Sequence, residues 1–158
     1  MEQNKIVLDA CCGSKMFWFD KQHPSVIYND IRELDETLCD GRKLNIHPDT
    51  NYDFTNFPFD DNSFKLVVFD PPHLIKISTN SWMAKKYGKL ENNWKELIKN
   101  GFDECMRVLD VYGVLIFKWS ETDIKQKELF KVINAVPLIG DKGKGNNTRW
   151  YVFMKESR

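Results

Sequence analysis

The tetrapeptide Asp70-Pro71-Pro72-His73 could carry chemistry, because it directly follows the apolar run from Leu66 to Phe69. Two consecutive prolines fix the backbone, so a carboxylate and a carbonyl oxygen would be held rigidly at the end of a buried strand. The question this raises is what needs a carboxylate held so rigidly at the end of a strand. Considered alone, the tetrapeptide could also be no more than a rigid turn.

Other acidic residues stand near the ends of predicted strands. Asp9 is followed by the turn Ala10-Cys11-Cys12-Gly13-Ser14, Asp30 follows the second predicted strand, and Asp53 lies in the polar stretch before Phe64. Ligands bind open α/β sheets at the carboxyl ends of the strands, so these acids are expected to converge on one edge. Such a cluster is costly unless a ligand needs hydrogen-bond acceptors there.

The turn after the first strand limits the kind of ligand. It contains only Gly13, whereas a dinucleotide's diphosphate needs several glycines for close backbone approach. Asp30 lies about 20 residues further on, the position from which an acid binds ribose hydroxyls. A nucleoside cofactor without phosphates and with cationic groups fits these residues, and S-adenosylmethionine is such a cofactor.

Strands and helices that would position these residues alternate along the chain. Apolar patterning predicts strands at 5–10, 26–28, 44–46, 64–69, 113–119 and 150–154. It predicts helices starting near Ser14, over 34–39, along an apolar stripe from Leu90 to Leu109, and from a capping box at 120–123 to about Ile133. About twenty residues after the tetrapeptide show no clear period, and residues 137–139 are expected to form a hairpin with the last strand.

This order predicts an α/β protein with a single Rossmann-like, doubly wound domain over residues 1–158. Its sheet is mostly parallel, with one antiparallel strand near the C-terminus. No separate target-recognition domain is expected.

Composition excludes several classes of protein. The 158 residues carry a formal net charge of zero, so no overall field attracts a polyanion. Cys11, Cys12, Cys39 and Cys105 lack the spacing of a zinc site or a disulfide scaffold, which predicts no metal, reduced thiols and a cytoplasmic location. No apolar run approaches the roughly 20 residues of a membrane span, and no signal peptide is visible.

Taken together, these motifs resemble those of the class I S-adenosylmethionine-dependent methyltransferases. The segment from Asp9 to Ser14 looks like their cofactor motif, and Asp30, with Ile31 beside it, looks like their ribose-binding acid. Asp53 and Phe54 occupy the place of their adenine-binding acid and its neighbour. The resemblance covers nearly the whole chain and extends to small methyltransferases of phages and prophages. One departure is Lys15, where many relatives have another glycine.

Within this class, Asp70-Pro71-Pro72-His73 resembles the catalytic tetrad of enzymes that methylate exocyclic amino groups of adenine or cytosine. The resemblance implies that the Asp70 carboxylate and the Pro71 carbonyl accept the two amino hydrogens. His73 stands where those enzymes have a larger aromatic residue, and it could stack on a base or hydrogen-bond to it. Alternatively, His73 could act as a general base toward a small molecule.

Two basic segments could hold a nucleic acid. The first contains Lys76, Trp82, Lys85, Lys86 and Tyr87, and the second contains Lys142, Lys144 and Arg149. Lysines and aromatic rings together suit phosphates and an extruded base, so we expect a nucleic-acid partner, with DNA favoured and RNA open. A solvated lid over a small molecule or protein substrate, and a catalytically inactive partner subunit, remain alternatives. Without a recognition domain, specific DNA methylation would need these loops or a homodimer.

Overall fold

The computed structural model describes residues 5–142 and 145–157. It contains eight strands and three helices in the described residues: β1 Val7–Asp9, β2 Val26–Tyr28, β3 Leu34–Thr37, β4 Lys43–Ile46, β5 Phe64–Phe69, α1 Trp82–Tyr87, α2 Trp94–Val108, β6 Leu109–Ser120, α3 Gln126–Ile133, β7 Ile139–Gly140 and β8 Thr148–Met154.

Six of the strands form one sheet in the order β2-β1-β5-β6-β8-β7. The pairs β1–β2, β1–β5 and β5–β6 are parallel, whereas β8 runs antiparallel to both β6 and β7. The predicted α/β domain with a mostly parallel sheet and a C-terminal antiparallel strand is therefore confirmed.

One face of the sheet packs against α2 and α3. The predicted stripe on α2 is buried, and Ile98, Phe102 and Cys105 lie in the same core as Leu115 and Phe117 of β6. Spacings of three and four residues place these α2 side chains on one side of the helix. Burial of this stripe fixes the helix against the strands that end at the acidic edge.

Loops cover the opposite face beside β1 and β2. Cys12, Val26 and Tyr28 form a small core with Trp18 packed against it. The predicted helix from Ser14 is wrong, because this segment is a series of turns. Gly13 and Lys15 have φ angles of 51° and 56°, and such left-handed backbone ends a right-handed helix. A doubly wound sheet has a layer of helices on each face. In the described residues, α2 and α3 form the layer on one face.

The predicted helix at 34–39 is also wrong, because β3 and β4 form an antiparallel hairpin. Its turn uses Asp40 and Gly41, and Gly41 has a φ angle of 82° that suits glycine. An Asp-Gly pair between alternating apolar residues is a hairpin signal, and it could have corrected the assignment.

The capping box expected at 120–123 does not form. Strand β6 continues to Ser120, and α3 begins only at Gln126. Asp123 instead accepts hydrogen bonds from the backbone N–H groups of Ile75 and Lys76, at 2.7 and 3.0 Å. It thereby anchors the segment that follows the Asp-Pro-Pro-His tetrapeptide.

Helix α1 lies in the stretch for which no period was recognised. Ser81 caps it by accepting a hydrogen bond from the Ala84 N–H. The helix is only six residues long, too short to show a repeating apolar pattern.

Candidate active site

Three carboxylates from neighbouring strands meet at the carboxyl edge of the sheet. Asp9 ends β1, Asp30 follows β2 by two residues, and Asp70 directly follows β5. Because β1 lies between β2 and β5, the three strand ends are adjacent. The charges of Asp30 and Asp70 act on Asp9 and favour its neutral form. The predicted convergence on one edge holds for these three residues.

Asp9 is completely buried. Its Oδ2 accepts a 2.6 Å hydrogen bond from Trp18 Nε1, and its Oδ1 accepts a 3.3 Å bond from the Cys11 N–H. Burial raises the pKa of Asp9 to about 7, against the opposing effect of these two donors. Asp9 can therefore change its charge near neutral pH, at the centre of the predicted cofactor loop.

Hydrogen bonds fix the loop after Asp9 against β2. The Cys12 N–H donates to the Asn29 carbonyl at 2.8 Å, and Asn29 Nδ2 donates to the carbonyls of Ala10 and Tyr52. Asn29 Oδ1 accepts hydrogen bonds from the Thr50 hydroxyl and from the Tyr52 N–H. Both donors and both acceptor positions of this buried side-chain amide therefore have partners. Asn29 thus joins the segments at 10–13 and 50–52, a positioning role that the sequence analysis missed.

Arg32 and Gly13 already engage the Asp30 carboxylate. Asp30 Oδ2 accepts from the Gly13 N–H at 2.9 Å, and the Arg32 guanidinium forms an ion pair with the same carboxylate at 3.0 Å. Arg32 Nη1 also donates to the Lys85 carbonyl in α1, at 2.9 Å. Arg32 therefore ties the predicted ribose-binding acid to the helix above the cleft, while Ile31 beside it is exposed.

Two cavities lie on either side of the tetrapeptide. The first, of about 40 Å³, is lined by Cys11, Cys12, Gly13, Ser14 and Arg32 on one side and by Asp70, Pro71, His73, Lys86 and Tyr87 on the other. The second, of about 230 Å³, is lined by Leu74, Met83, Lys118, Trp119, Ser120, Thr122 and Thr148. Both cavities share Met16, Asp70, His73 and Tyr87. Asp70 and His73 thus stand between the predicted cofactor loop and a separate hollow.

Asp70 is paired with a lysine that the sequence analysis did not assign to the site. Lys118 Nζ donates to Asp70 Oδ2 at 2.8 Å, and both side chains are less than one-fifth exposed. Burial raises the pKa of Asp70 from its usual range, and the positive charge of Lys118 opposes that shift. Since Phe69 pairs with Phe117, the next residue on each strand gives this contact, and strand register could have revealed it.

The prolines and His73 form the wall between the cavities. Pro71 is buried, and the Pro72 ring lies so close to Gly88 that a Cβ there would approach it to 2.7 Å. His73 lies 6.1 Å, between ring centroids, from both Tyr87 and Trp119. Burial lowers the pKa of His73, while Asp70 opposes the shift, so the ring is neutral at pH 7. Its Nδ1 is buried without a hydrogen-bond partner among the described residues.

The residues predicted to contact a substrate are distributed unevenly. Lys86 and Tyr87 line the first cavity, whereas Lys76 and Trp82 are exposed. Lys85 is exposed and pairs with Glu36 at 2.7 Å.

In the second predicted segment, Arg149 forms a buried ion pair with Glu121 at 3.0 Å. Lys142 lines a different hollow with Phe130 and Leu138. Lys144 lies outside the described residues. Of this segment's described basic side chains, neither Lys142 nor Arg149 lines the cavities beside the tetrapeptide.

Asp53 and Phe54 do not line either cavity. The Asp53 carboxylate accepts hydrogen bonds from the N–H and hydroxyl of Thr55, so it stabilises its own turn. Phe54 packs edge-on against Phe69, with ring centroids 5.3 Å apart, and against Gly101 of α2. A Cβ at Gly101 would come within 2.6 Å of the Phe54 ring, which explains the glycine in this helix.

Metal ligands, thiols and membrane-spanning helices are other features that could define a site. No group of three or more His, Cys, Asp or Glu side chains in the described ranges could hold a metal ion. All four cysteines are free thiols, and burial raises the pKa of Cys11 and of Cys12. Within the same ranges, no helix has both the length and the apolar character to cross a membrane.

Comparison with solved structures shows which fold this is. The PH0226 protein from Pyrococcus horikoshii aligns with a TM-score of 0.60 and 16% identity over 99% of this chain and 84% of its own. A TehB-like SAM-dependent methyltransferase from Corynebacterium glutamicum aligns at 0.55 and 13% identity, over 99% and 83%. A SAM-dependent methyltransferase from Leishmania major aligns at 0.51 and 13% identity, over 98% and 67%.

The chain therefore has the fold of class I methyltransferases. No protein-family model and no curated protein sequence matches it.

Proposed function

We propose that the protein is an S-adenosylmethionine-dependent methyltransferase that acts on the exocyclic amino group of a nucleobase, with adenine N6 in DNA favoured. One observation carries the proposal. Asp70, on a proline-stiffened turn, borders both the cavity beside the Asp9–Ser14 loop and the separate cavity of about 230 Å³. A methyl donor on one side and an amino acceptor on the other would meet at this carboxylate.

The residues around the first cavity suit S-adenosylmethionine. Asp30 lies directly behind Gly13 and Arg32, which line this cavity, and its carboxylate would receive the cofactor's hydroxyl groups once Arg32 moves aside. Asp9 is buried beneath the loop and would act by holding it in place. Gly13 opens the loop toward the cleft, since a Cβ there would meet only Arg32, at 4.0 Å. The residues from Asp9 to Ser14, together with Asp30 and Ile31, would hold the cofactor. When bound, the cofactor supplies a methyl group attached to a positively charged sulfur.

The protein's own part in the reaction is positioning. Asp70 accepts one N–H of the acceptor amine, and the Pro71 carbonyl accepts the other. The amine nitrogen thereby becomes more tetrahedral, and its lone pair faces the donor. Because burial raises the pKa of Asp70, this carboxylate can also take the proton that the amine releases. Neutral His73 lies beside Tyr87 and forms part of the wall that the two cavities share.

A nucleobase suits the second cavity better than a large ligand does. Its volume of about 230 Å³ lies below the roughly 300–1,000 Å³ of drug-sized ligand sites. Tyr87 provides aromatic surface on its wall, which supports a flat ring. Lys76, Lys86 and Lys89 on the adjoining segment supply positive charge for a phosphate backbone, and no acid lies between residues 73 and 89.

Methyl transfer from labelled cofactor to unmethylated DNA, and in parallel to RNA, tests this proposal. Wild-type protein should transfer label, and nucleoside analysis should identify N6-methyladenine. Asp70→Asn should lower kcat/KM by about 10²–10³, as expected when a transition-state hydrogen bond is lost. Asp110→Asn is the matched control, because Asp110 is the second residue of β6, at the opposite end of the sheet from Asp70, and the variant should retain full activity. No transfer to either nucleic acid, or equal activity of Asp70→Asn, would refute the proposal.

A second candidate is a partner subunit with this fold that does not turn over substrate. The Arg32–Asp30 ion pair favours it, because the predicted ribose-binding acid is already paired and the adjoining cavity is only about 40 Å³. Calorimetric titration with S-adenosylhomocysteine separates the candidates. Binding by wild type supports the enzyme. Binding that appears only in Arg32→Met, and not in the control Arg42→Met at an exposed arginine, supports the inactive subunit.

A further inference from the structure

The ion pair between Asp70 and Lys118 presents a hydrogen-bond acceptor beside a donor. Lys118 occupies Oδ2 of the carboxylate at 2.8 Å, and among the described residues Oδ1 has no hydrogen-bond partner. Both side chains line the cavity of about 230 Å³. A ligand in this cavity can therefore meet a free carboxylate oxygen and an ammonium group side by side.

Lys118 is held in place by aromatic rings. Its Nζ lies 5.4 Å from the ring centre of Phe17 and 5.7 Å from that of Trp150, which is its cross-strand partner in β8. Cation–π attraction to these two rings helps to hold the ammonium in position. An ammonium has three donors. In the described part of the chain Asp70 is the only hydrogen-bond partner of Lys118, which leaves two donors for a ligand.

We propose that Asp70 and Lys118 together select the acceptor base, with Lys118 donating to the ring nitrogen next to the amino group. This inference rests on the proposed function. The substrate class it names is an aromatic amine whose amino group lies beside an unprotonated ring nitrogen. Adenine and cytosine present this donor–acceptor edge. Thymine and uracil lack the amino group, so neither can give Asp70 the amine hydrogens.

The pair is placed differently from an ion pair that only supports the fold. Arg149 and Glu121 form such a supporting pair, with side chains 12% exposed, and neither borders the two cavities beside the tetrapeptide. A purely structural Lys118 would affect stability and overall rate but not the choice between a base and its deaza analogue. Discrimination between analogues is therefore the decisive measurement.

The test uses single-stranded oligonucleotides that carry adenine, 1-deazaadenine or 7-deazaadenine at the methylated position. Both analogues keep the amino group and each replaces one neighbouring ring nitrogen by carbon. We expect wild type to show kcat/KM about 10–100-fold lower on one analogue, the range for a lost hydrogen bond from a charged donor. Lys118→Met should lower kcat/KM on adenine by a similar factor. On that analogue the same substitution should lower kcat/KM little further, so the double-mutant cycle should show coupling between Lys118 and the ring nitrogen. If the labelled base is cytosine, 3-deazacytosine takes the place of the adenine analogues.

Two controls keep the result interpretable. Lys65→Met removes an exposed lysine that pairs with Asp110, and it should leave the discrimination unchanged. Lys118→Gln keeps a neutral N–H donor and should recover part of the discrimination even if Lys118→Met folds poorly. Equal effects of Lys118→Met on adenine and on every deaza analogue would overturn the inference while leaving the methyltransferase proposal intact. If wild type methylates no nucleic acid, the proposed function itself fails and this inference fails with it.

Discussion

Asp9 shows how a single buried residue can make this site sensitive to pH. Its carboxyl has a pKa of about 7, compared with about 3.9 for an exposed aspartate. Because the folded protein holds the proton more tightly than the unfolded chain, the stability gained from protonation is complete below pH 4. That contribution is lost as the pH rises through 7.

The hydrogen bond from Trp18 Nε1 offers a direct measurement of this titration. When Asp9 ionises, the bond should strengthen and the indole N–H resonance of Trp18 should move downfield, with a midpoint near pH 7. Proton–nitrogen NMR spectra recorded from pH 5 to 9, with Trp18→Phe used for assignment, check this. The indole of Trp119 serves as an internal control, because it donates to the Ile124 carbonyl and should not titrate. An immobile Trp18 signal over that range would contradict the shifted pKa.

At the same scale, sequence alone could identify the acids but not their partners. Asp9, Asp30 and Asp70 each follow an apolar strand, a local pattern that is visible in one chain. Arg32 and Lys118 were left unassigned because their importance depends on pairing in space, and Lys118 lies 48 positions from Asp70. Asp53 and Phe54 were assigned by resemblance, whereas turn chemistry and core packing account for where they lie.

Among the elements, the loop after β1 depends on an unusual backbone position. Lys15 has a φ angle of 56°, so this residue adopts a conformation that glycine enters without strain. Its Nζ lies 4.2 Å from the centre of the Tyr28 ring, a cation–π contact that offsets part of the strain. Lysine thus meets with a cation–π contact a backbone requirement that glycine would meet without strain.

Substitutions at Lys15 should separate the two effects. Lys15→Gly removes both the strain and the cation–π contact, so stability should change by less than about 0.5 kcal/mol. Lys15→Val keeps the strain, adds a β-branched side chain and loses the contact, so it should cost about 1–2 kcal/mol. Urea unfolding measures both values. Gln22→Val in the same loop is the control, because Gln22 is exposed and a negligible loss is expected there. Equal stability of the Gly and Val variants would show that the left-handed backbone is not required.

Element prediction succeeded where burial sets the pattern and failed where turns do. The strand at Phe64–Phe69 and the α2 stripe have long apolar signals, and both were placed well. Residues 14–19 were read as a helix because Met16, Phe17 and Trp18 are apolar, yet these side chains are needed individually around the site. Trp18 binds Asp9, and Phe17 contacts Lys118.

For the whole molecule, the two faces of the sheet differ in how completely they are covered. On β6, Leu115 faces α2 and α3 and is fully buried, whereas its neighbour Ile116 points to the opposite face and is only half-buried. Because successive side chains of a strand point to opposite faces of the sheet, this difference reflects how tightly each face is covered. Most of the burial that stabilises the fold should therefore lie on the helical side.

Alanine substitutions at these adjacent positions test the asymmetry. Leu115→Ala should lower the free energy of unfolding by about 3 kcal/mol, because it leaves a cavity in a packed core. Ile116→Ala should cost about 1 kcal/mol, because part of its surface is already in contact with water. Denaturant titrations with a common slope give both numbers. Similar losses at the two positions would mean that the second face is packed as tightly as the first.

Pairing of β6 with β8 has a consequence for when the candidate site is completed during folding. Phe17 and Trp150 are far apart in the sequence, yet their rings pack edge to face beside the Lys118 ammonium, with centroids 5.5 Å apart. A growing polypeptide on the ribosome would hold Asp9, Asp30 and Asp70 long before Trp150 leaves the exit tunnel. Joining such distant segments is slow. The contacts that hold Lys118 in the candidate site should consequently form in the final step of folding, after most of the helical structure has formed.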